Sequence, residues 1–473
     1  MEQLPIDFVR EIQTLLGREE FDRLASALQL ETSVSIRVNA FKGFALGDPE
    51  RELSERVPWS PSGFYLKDRP AFTFDPLFHA GGYYVQEASS MFIGQVIRQY
   101  ILQPVVALDL CAAPGGKSTH IRSLLPEGST LVCNEVIRSR SQVLAENMIK
   151  WGHPGVVVTN NDPSGFSDLE HCFDLIFTDV PCSGEGMFRK DPGAIREWSL
   201  ENVNLCRLRQ RRIIAEIWDC LKPGGILVYS TCTFNKEENE ENIAWIMEEY
   251  GAQPLPLDCL PEWGITNNLT DQKFPVYRFL PHKTKGEGFF IAALRKPEGD
   301  LEIQWNLRSK PAKKQLKQPE VSLTCKSWLK NPERFFYRCQ ESTVVAIPGY
   351  AEELFRKLEL KLKIVHAGVV LAEIKGKDLI PDHSAAMSAE LDKSAFPVAR
   401  IDYDQAIAYL RKETIVLENE IPRGYVLLMY KDAPLGFVKN LGNRANNLYP
   451  QEWRIRSSYN SPSIPEVVRK EPN

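Results

Sequence analysis

Two cysteines in this chain of 473 residues stand where a thiol can react rather than pack. Cys232 follows Leu221-Lys222-Pro223-Gly224-Gly225-Ile226-Leu227-Val228-Tyr229-Ser230-Thr231. That stretch reads as a helix end, a Gly-containing turn, an apolar strand and a polar exit. Cys182 lies in Thr178-Asp179-Val180-Pro181-Cys182-Ser183-Gly184, the exit of a neighbouring apolar run. Ligands of open α/β sheets bind beyond the carboxyl ends of the strands, so a thiol there faces a cleft. Burial in a core is the usual fate of a cysteine and suits Cys133, Cys172, Cys206 and Cys220. It suits Cys182 and Cys232 poorly, because both sit in polar loops. A thiolate so placed is a nucleophile, and Cys232 is the expected one.

The same strand ends offer a place for a second reactant. Cys111-Ala112-Ala113-Pro114-Gly115-Gly116-Lys117 follows an apolar run and opens a helix. Its glycines permit close backbone approach, and the helix start favours a carboxylate. Its spacing is neither that of a P-loop nor GxGxxG. Glu135 ends the next strand, where a carboxylate accepts both hydroxyls of a ribose. Asp162 ends the third, where an acceptor for an adenine amine belongs. A carboxylate, a ribose and an adenine without phosphates describe S-adenosylmethionine, although three unrelated turn residues would look the same. Asp179 either accepts from an exocyclic amine or, if protonated, donates to a ring nitrogen.

These residues need a scaffold, and the pattern supplies one. Between Val105 and Lys296, strands alternate with helices: Val105–Leu110, Thr130–Val136, Val156–Asn161, Phe173–Thr178, Gly225–Ser230 and Gly288–Leu294 against Ser118–Leu125, Arg138–Trp151, Leu200–Leu221 and Lys236–Tyr250. This implies a Rossmann-like α/β domain with a parallel sheet covered on both faces. Residues 1–80 are expected to form a small α+β domain. Phe8 to Leu30 is helical, with Phe8, Ile12, Leu15, Leu16 and Phe21 towards a core, and Ser35-Ile36-Arg37-Val38-Asn39 is a strand. Arg37 either meets a phosphate or lies at the surface. Gly81 to Ser90 leads into a helix reaching about Tyr100, with Gln86 free to reach a site and Ser89 and Ser90 placed to cap. Domains are expected at 1–80, 81–296, 297–390 and 391–473. The last is β-rich, with a hairpin of Tyr425–Tyr430 and Phe437–Lys439 around a turn at 432–436. Asn440 to Asn447 is too polar for a core.

Composition narrows the class. Net charge is −5, so nucleic acid, if bound, needs local basic clusters. Candidates are the leading domain, the tail and a linker from Arg308 to Lys330 carrying Lys310, Lys313, Lys314, Lys317, Lys326 and Lys330. Arg207, Arg209, Arg211 and Arg212 share a helix whose spacing spreads them around its surface. The ten cysteines have no CxxC spacing, so neither a metal site nor a disulfide framework is expected, and a reducing cytoplasm is. No apolar run spans a membrane and no secretory signal is evident at the start.

In these motifs the chain resembles the RNA cytosine carbon-5 methyltransferases of the Sun (Fmu) type, and within them the bacterial group acting on small-subunit ribosomal RNA. Tyr84 to Ser90, Asp109 to Lys117, Asp179 to Gly184, Tyr229 to Thr233, Arg278-Phe279-Leu280-Pro281-His282 and Gly286 to Phe290 carry the resemblance. The tail is similar to a PUA-like RNA-binding extension through Gly436 to Lys439 and Asn446 to Pro450. The resemblance implies that Cys111, Ala112, Ala113, Pro114, Gly115, Gly116, Lys117, Glu135, Asp162 and Asp179 line the S-adenosylmethionine site, with Asp179 also near the base. It implies that Cys232 is the nucleophile and that Cys182 assists product release. The partner implied is RNA, 16S ribosomal RNA or the 30S subunit, with a monomeric enzyme; transfer RNA is the alternative. Arg189 and Lys190 either hold the neighbouring phosphate or lie at the surface. A methyltransferase acting on an amine and a non-catalytic RNA-binding assembly factor are the competing readings.

Overall fold

A computed structural model describes residues 3–47, 55–299, 323–459 and 464–471. Lys310, Lys313, Lys314 and Lys317 lie outside the described residues.

The leading domain opens with α1 (Ile6–Leu16) and α2 (Arg18–Ala27). The expected single helix is thus two, broken at Gly17, whose φ is +81°. Phe8, Ile12 and Phe21 are buried, while Leu15 and Leu16 are half-buried. A three-stranded antiparallel sheet follows, with β1 (Val34–Val38) between β2 (Gly63–Leu66) and β3 (Tyr83–Val85). Glu87 then accepts from the N–H groups of Ser89 and Ser90 and starts a 3₁₀ turn that runs into the helix Gly94–Tyr100.

The middle of the chain is built on β4 (Val106–Asp109), α3 (Gly116–Leu124), β5 (Thr130–Asn134), α4 (Arg138–Trp151), β6 (Val156–Thr159), β7 (Phe173–Asp179), α5 (Leu200–Ile217), β8 (Leu221–Thr231), α6 (Glu240–Tyr250), β9 (Gln253–Leu255) and β10 (Phe289–Arg295). Strand order is β9-β10-β8-β7-β4-β5-β6. Strands β4 to β8 run parallel, and β10 is antiparallel to both β8 and β9. The order reverses at β4, with β5 and β6 on one side and β7 and β8 on the other, which opens a crevice at the carboxyl ends. Apolar side chains fill both faces of the sheet. The near-continuous Val/Ile/Leu runs read in the sequence reflect this two-sided burial.

β8 begins at Leu221, ahead of the expected Gly-containing turn, which lies within the strand as an irregularity. Phe173 pairs with Leu221 and Leu175 with Ile226, so Lys222 to Gly225 bulge out of the ladder with β7, and Gly224 takes a φ of +72° within that bulge. At the other edge, β11 (Ile364–Ala367) from the following region pairs antiparallel with β6. That later segment therefore completes the central sheet.

In the tail, β12 (Gly424–Tyr430) and β13 (Ala433–Asn440) form the expected hairpin. Its turn is shorter than expected. Lys431 and Asp432 alone make it, at φ +43° and +62°, the two-residue form whose twist suits a hairpin. Asn440 and Ala445 are buried, contrary to the polar reading of that stretch, because the Asn440 amide satisfies the carbonyls of Ile421 and Pro422. The tail shares one core with the leading domain, where Ile36, Phe44 and Tyr83 pack in one cluster with Tyr409, Val438 and Tyr449.

Arg37 neither meets a phosphate nor lies at the surface. It is fully buried, donating to Gln86 Oε1 (2.8 Å) and Thr119 Oγ1 (2.5 Å) and stacking 4.3 Å from the centre of the Trp151 ring. Gln86 is thereby spent on Arg37 and Ser90 rather than on a ligand. Among the described residues Arg37 has no ion-pair partner, and burial lowers its pKa to about 9. The guanidinium ties β1 to the helices α3 and α4. Arg37→Met keeps the volume but strands Gln86 Oε1 without a donor. The variant is expected to lose about 1–3 kcal/mol of stability, read as an earlier urea midpoint; an unchanged midpoint would show that the tie contributes nothing.

Candidate active site

Register explains why two distant cysteines meet. In the parallel pair of β7 and β8, Asp179 lies opposite Ser230. Both strands end there, so Cys182 and Cys232 leave the sheet side by side. Their sulfurs are 3.2 Å apart, and the Cys232 N–H points at Cys182 Sγ at 3.4 Å. Both side chains are partly exposed. The hydrogen bond to Cys232, then burial, pushes the Cys182 thiol well above its ordinary range. Cys182 is therefore held as a thiol.

Two buried carboxylates hold these loops together. Glu185, three residues past Cys182, accepts from the N–H groups of Phe234 (2.6 Å) and Asn235 (2.9 Å) on the other loop and from Trp198 Nε1 (2.9 Å). Glu238 reaches back the opposite way to accept from the Ser183 N–H at 3.0 Å and from Gln210 Nε2 at 2.6 Å. The Asn235 amide bridges both carboxylates, at 3.0 Å from Glu185 and 2.8 Å from Glu238. Gly186 N–H closes the clasp on the Cys232 carbonyl at 2.7 Å. A Cβ on Gly186 would stand 2.7 Å from that same oxygen, so glycine alone fits.

The neighbouring charges are ordered as well. Lys117 donates to Asp179 Oδ2 at 2.8 Å, and Ser230 Oγ donates to Asp179 Oδ1 at 2.7 Å. Burial would lower the Lys117 ammonium, but Asp179 outweighs it and holds the pKa above the usual value. Both oxygens of Asp179 are thus engaged as acceptors.

The remaining sequence-selected residues line the same end of the sheet. The loop 111–117 turns at Gly115, whose φ of +113° a side chain rarely adopts, and enters α3. Asp109 beneath it accepts from Ser118 Oγ at 2.7 Å, and burial raises its pKa to about 7. Burial likewise raises the Cys111 thiol. Glu135 is buried, with Oε1 accepting from the Ile137 N–H at 2.9 Å and Arg140 3.5 Å from Oε2. Asp162 is exposed after β6, and its Oδ1 already accepts from the N–H and hydroxyl of Ser164, which lowers its pKa. Val136 and Ile137, which sequence reasoning passed over, are 54% and 49% exposed next to Glu135. Exposed aliphatics beside a carboxylate suit a nucleoside, with the ring on the apolar side chains and the diol on the acid. The loop, Glu135 and these two side chains fit S-adenosylmethionine.

Ser230, Glu185, Asn235 and Glu238 were also passed over. Their only sequence signal is weak: Glu185 sits between two glycines, and Asn235 and Glu238 are three apart just before a helix. Arg189 is engaged within the protein. It donates to the carbonyls of Leu30, Glu31 and Gly286 and joins the leading domain to this site. Lys190 stays at the surface, 3.6 Å from Glu287. Of the helix arginines, Arg207 pairs with Glu241, Arg211 donates to Asn242 and Arg212 pairs with Glu216. Among the described residues no cluster could hold a metal ion, and no helix is long and apolar enough to cross a membrane.

Comparison with known proteins adds relatives to this geometry. A family model described as 16S rRNA methyltransferase RsmB/F matches residues 100–295. Models of the N-terminal domain of 16S rRNA methyltransferase RsmF and of the methyltransferase RsmF PUA domain match residues 4–88 and 396–455. A ribosomal RNA small subunit methyltransferase F from Enterobacter sp. (strain 638) is 31% identical over 468 residues, covering 95% of each chain. Its counterpart from Escherichia coli O157:H7 is 32% identical over 457 residues, covering 91% of this chain and 92% of its own. A solved methyltransferase homolog protein from Pyrococcus horikoshii is 29% identical with a TM-score of 0.50, covering 61% of this chain and 94% of its own. NSun6 from the same organism, crystallised with SFG, is 22% identical with a TM-score of 0.53, covering 62% and 99%, and shares the fold.

The clasp has a pH signature. Burial lifts the Glu238 pKa to about 7 against the donors that hold it down. The folded chain thus keeps this proton more tightly than the unfolded one. The associated stability is full below the ordinary carboxylate pKa and is lost as pH rises through about 7. Comparing the wild type with Glu238→Gln between about pH 5 and 8, the wild type's relative stability is expected to fall by about 2–3 kcal/mol. A pH-independent difference would contradict this.

Proposed function

The chain belongs to the RsmF family of ribosomal RNA small subunit methyltransferases, and from that premise we propose that it methylates carbon 5 of a cytosine in 16S ribosomal RNA through a covalent bond to Cys232. The observation that carries the chemistry is the pair of sulfurs 3.2 Å apart beside the Lys117–Asp179 ion pair. An enzyme that methylates an amine has no use for two facing thiols.

Carbon 5 of cytosine is a poor nucleophile. Addition of the Cys232 thiolate at carbon 6 makes carbon 5 enamine-like, and S-adenosylmethionine, when bound, supplies the methyl group it attacks. The two sulfurs are within hydrogen-bond reach, and an S–H on Cys182 turned to the Cys232 sulfur favours its thiolate. Asp179, occupied as an acceptor, suits the exocyclic amine of the ring. The proton needed at ring nitrogen 3 then falls to the cation beside it, so Lys117 replaces Asp179 as the group that offsets charge on the ring. Loss of the carbon-5 proton to a base in the cleft expels Cys232. The Cys182 thiol lies beside the departing sulfur and can protonate it. The cytosine must first leave its stack, at a cost of a few kcal/mol.

Cys232→Ala is expected to reduce methyl transfer by about 10⁴-fold or more. Cys182→Ala is expected to accumulate a protein–RNA adduct that survives denaturing electrophoresis. Wild-type turnover by Cys232→Ala, or nucleoside mass analysis placing the methyl on an amine, would reject the reading.

A further inference from the structure

A groove of about 1090 Å³ separates the leading domain from the loop that carries Cys182. One wall is the segment from the end of α2 to the start of β1, with Lys67 and Arg69 just past β2. The other is made by Arg189, Lys190 and Lys285. This second wall is the outer side of the catalytic loop, since Gly186, whose N–H holds the Cys232 carbonyl, lies three residues before Arg189. The groove wall is therefore tied, through the backbone of Gly186, to the loop that carries Cys232.

The cations in it differ in what they are free to do. Arg189 is spent on three backbone carbonyls that pin the walls together. Lys285 pairs with Glu55 at 2.7 Å and lies over the Tyr65 ring. Lys67 and Arg69 are exposed and have no ion-pair partner among the described residues, and Lys190, though 3.6 Å from Glu287, keeps a side chain 37% exposed. Three carboxylates, Glu31, Glu55 and Asp68, line the groove against five cations, so the surplus of charge is modest and local. Tyr65 is the one aromatic side chain in the lining, and it is buried with Lys285 across its face. No ring is offered to a base. Contacts from Lys and Arg to phosphates position a strand and carry no sequence information.

We propose that this groove holds the phosphate backbone of single-stranded RNA flanking the target cytosine, with Lys67, Arg69 and Lys190 as its contacts and with no base readout. The proposal rests on the RNA substrate inferred above. It assigns the choice of cytosine to other parts of the chain, because a backbone track moves every sequence equally well past the sulfurs.

The test uses the full chain and labelled single-stranded RNAs of about 12 nucleotides in two unrelated sequences, each with one cytosine. Affinity is measured between about 50 and 200 mM salt for the wild type and for the triple variant Lys67→Ala, Arg69→Ala, Lys190→Ala. The slope of log affinity against log salt is expected to become shallower by about 2, with about tenfold or greater loss of affinity near 0.1 M salt, equally for both sequences. S-adenosylmethionine binding by calorimetry stays unchanged, which shows that the variant is folded. An unchanged slope, or a loss confined to one sequence, overturns the groove while leaving the enzyme reading intact. A wild type that binds S-adenosylmethionine but no RNA at any salt overturns the enzyme reading, and the groove with it.

Discussion

Two carboxylates buried under opposite loops are the constraint on which the site depends. Each strand-exit loop carries one cysteine and one glutamate, and each glutamate is satisfied by the backbone of the other loop. Neither loop can shift without stranding a buried acceptor, which costs more than a hydrogen bond contributes. The two sulfurs are thus brought to contact distance by groups that touch no reactant. The raised pKa of Glu238 is a consequence of this arrangement, since a carboxylate placed for its geometry is also desolvated.

The rest of the chain is arranged to keep that pair of loops in register with the substrate-facing parts. Arg189 links the cysteine loop to the end of the leading helices, and Arg37 links the leading sheet to the helix after the glycine loop. The leading domain in turn shares a core with the tail, and the strand Phe44–Leu46 pairs with Val468–Lys470. The strand Ile364–Ala367 extends the central sheet. The pieces matched by the three family models are therefore packed against one another in sequence, the tail on the leading domain and the leading domain on the central sheet. A methyltransferase of this family needs RNA and cofactor to meet at a fixed place, and this packing provides it.

Much of this was legible in the sequence because it rests on local signals. Alternating apolar runs and amphipathic stretches gave the parallel sheet and helices, and glycines after a strand marked the loop entering the helix Gly116–Leu124. Cys182 and Cys232 stood out because both follow apolar strands in polar surroundings. What escaped was long-range. Arg37 reads as an edge-strand side chain until the fold brings Thr119 and Trp151 to it. Glu185 and Glu238 are ordinary acids in sequence, and their role exists only once β7 and β8 set the two loops side by side. The break at Gly17 and the short hairpin turn were missed because periodicity locates an element better than its ends.

The covalent step is the centre of this account. RNA carrying 5-fluorocytidine at the target position tests it directly, because fluorine on carbon 5 cannot be lost as a proton is and the adduct persists. After incubation with S-adenosylmethionine and digestion, the peptide containing Cys232 should carry the methylated fluorocytosine. Methylated RNA released with no adduct, or an adduct on Cys182 instead, would contradict the assignment.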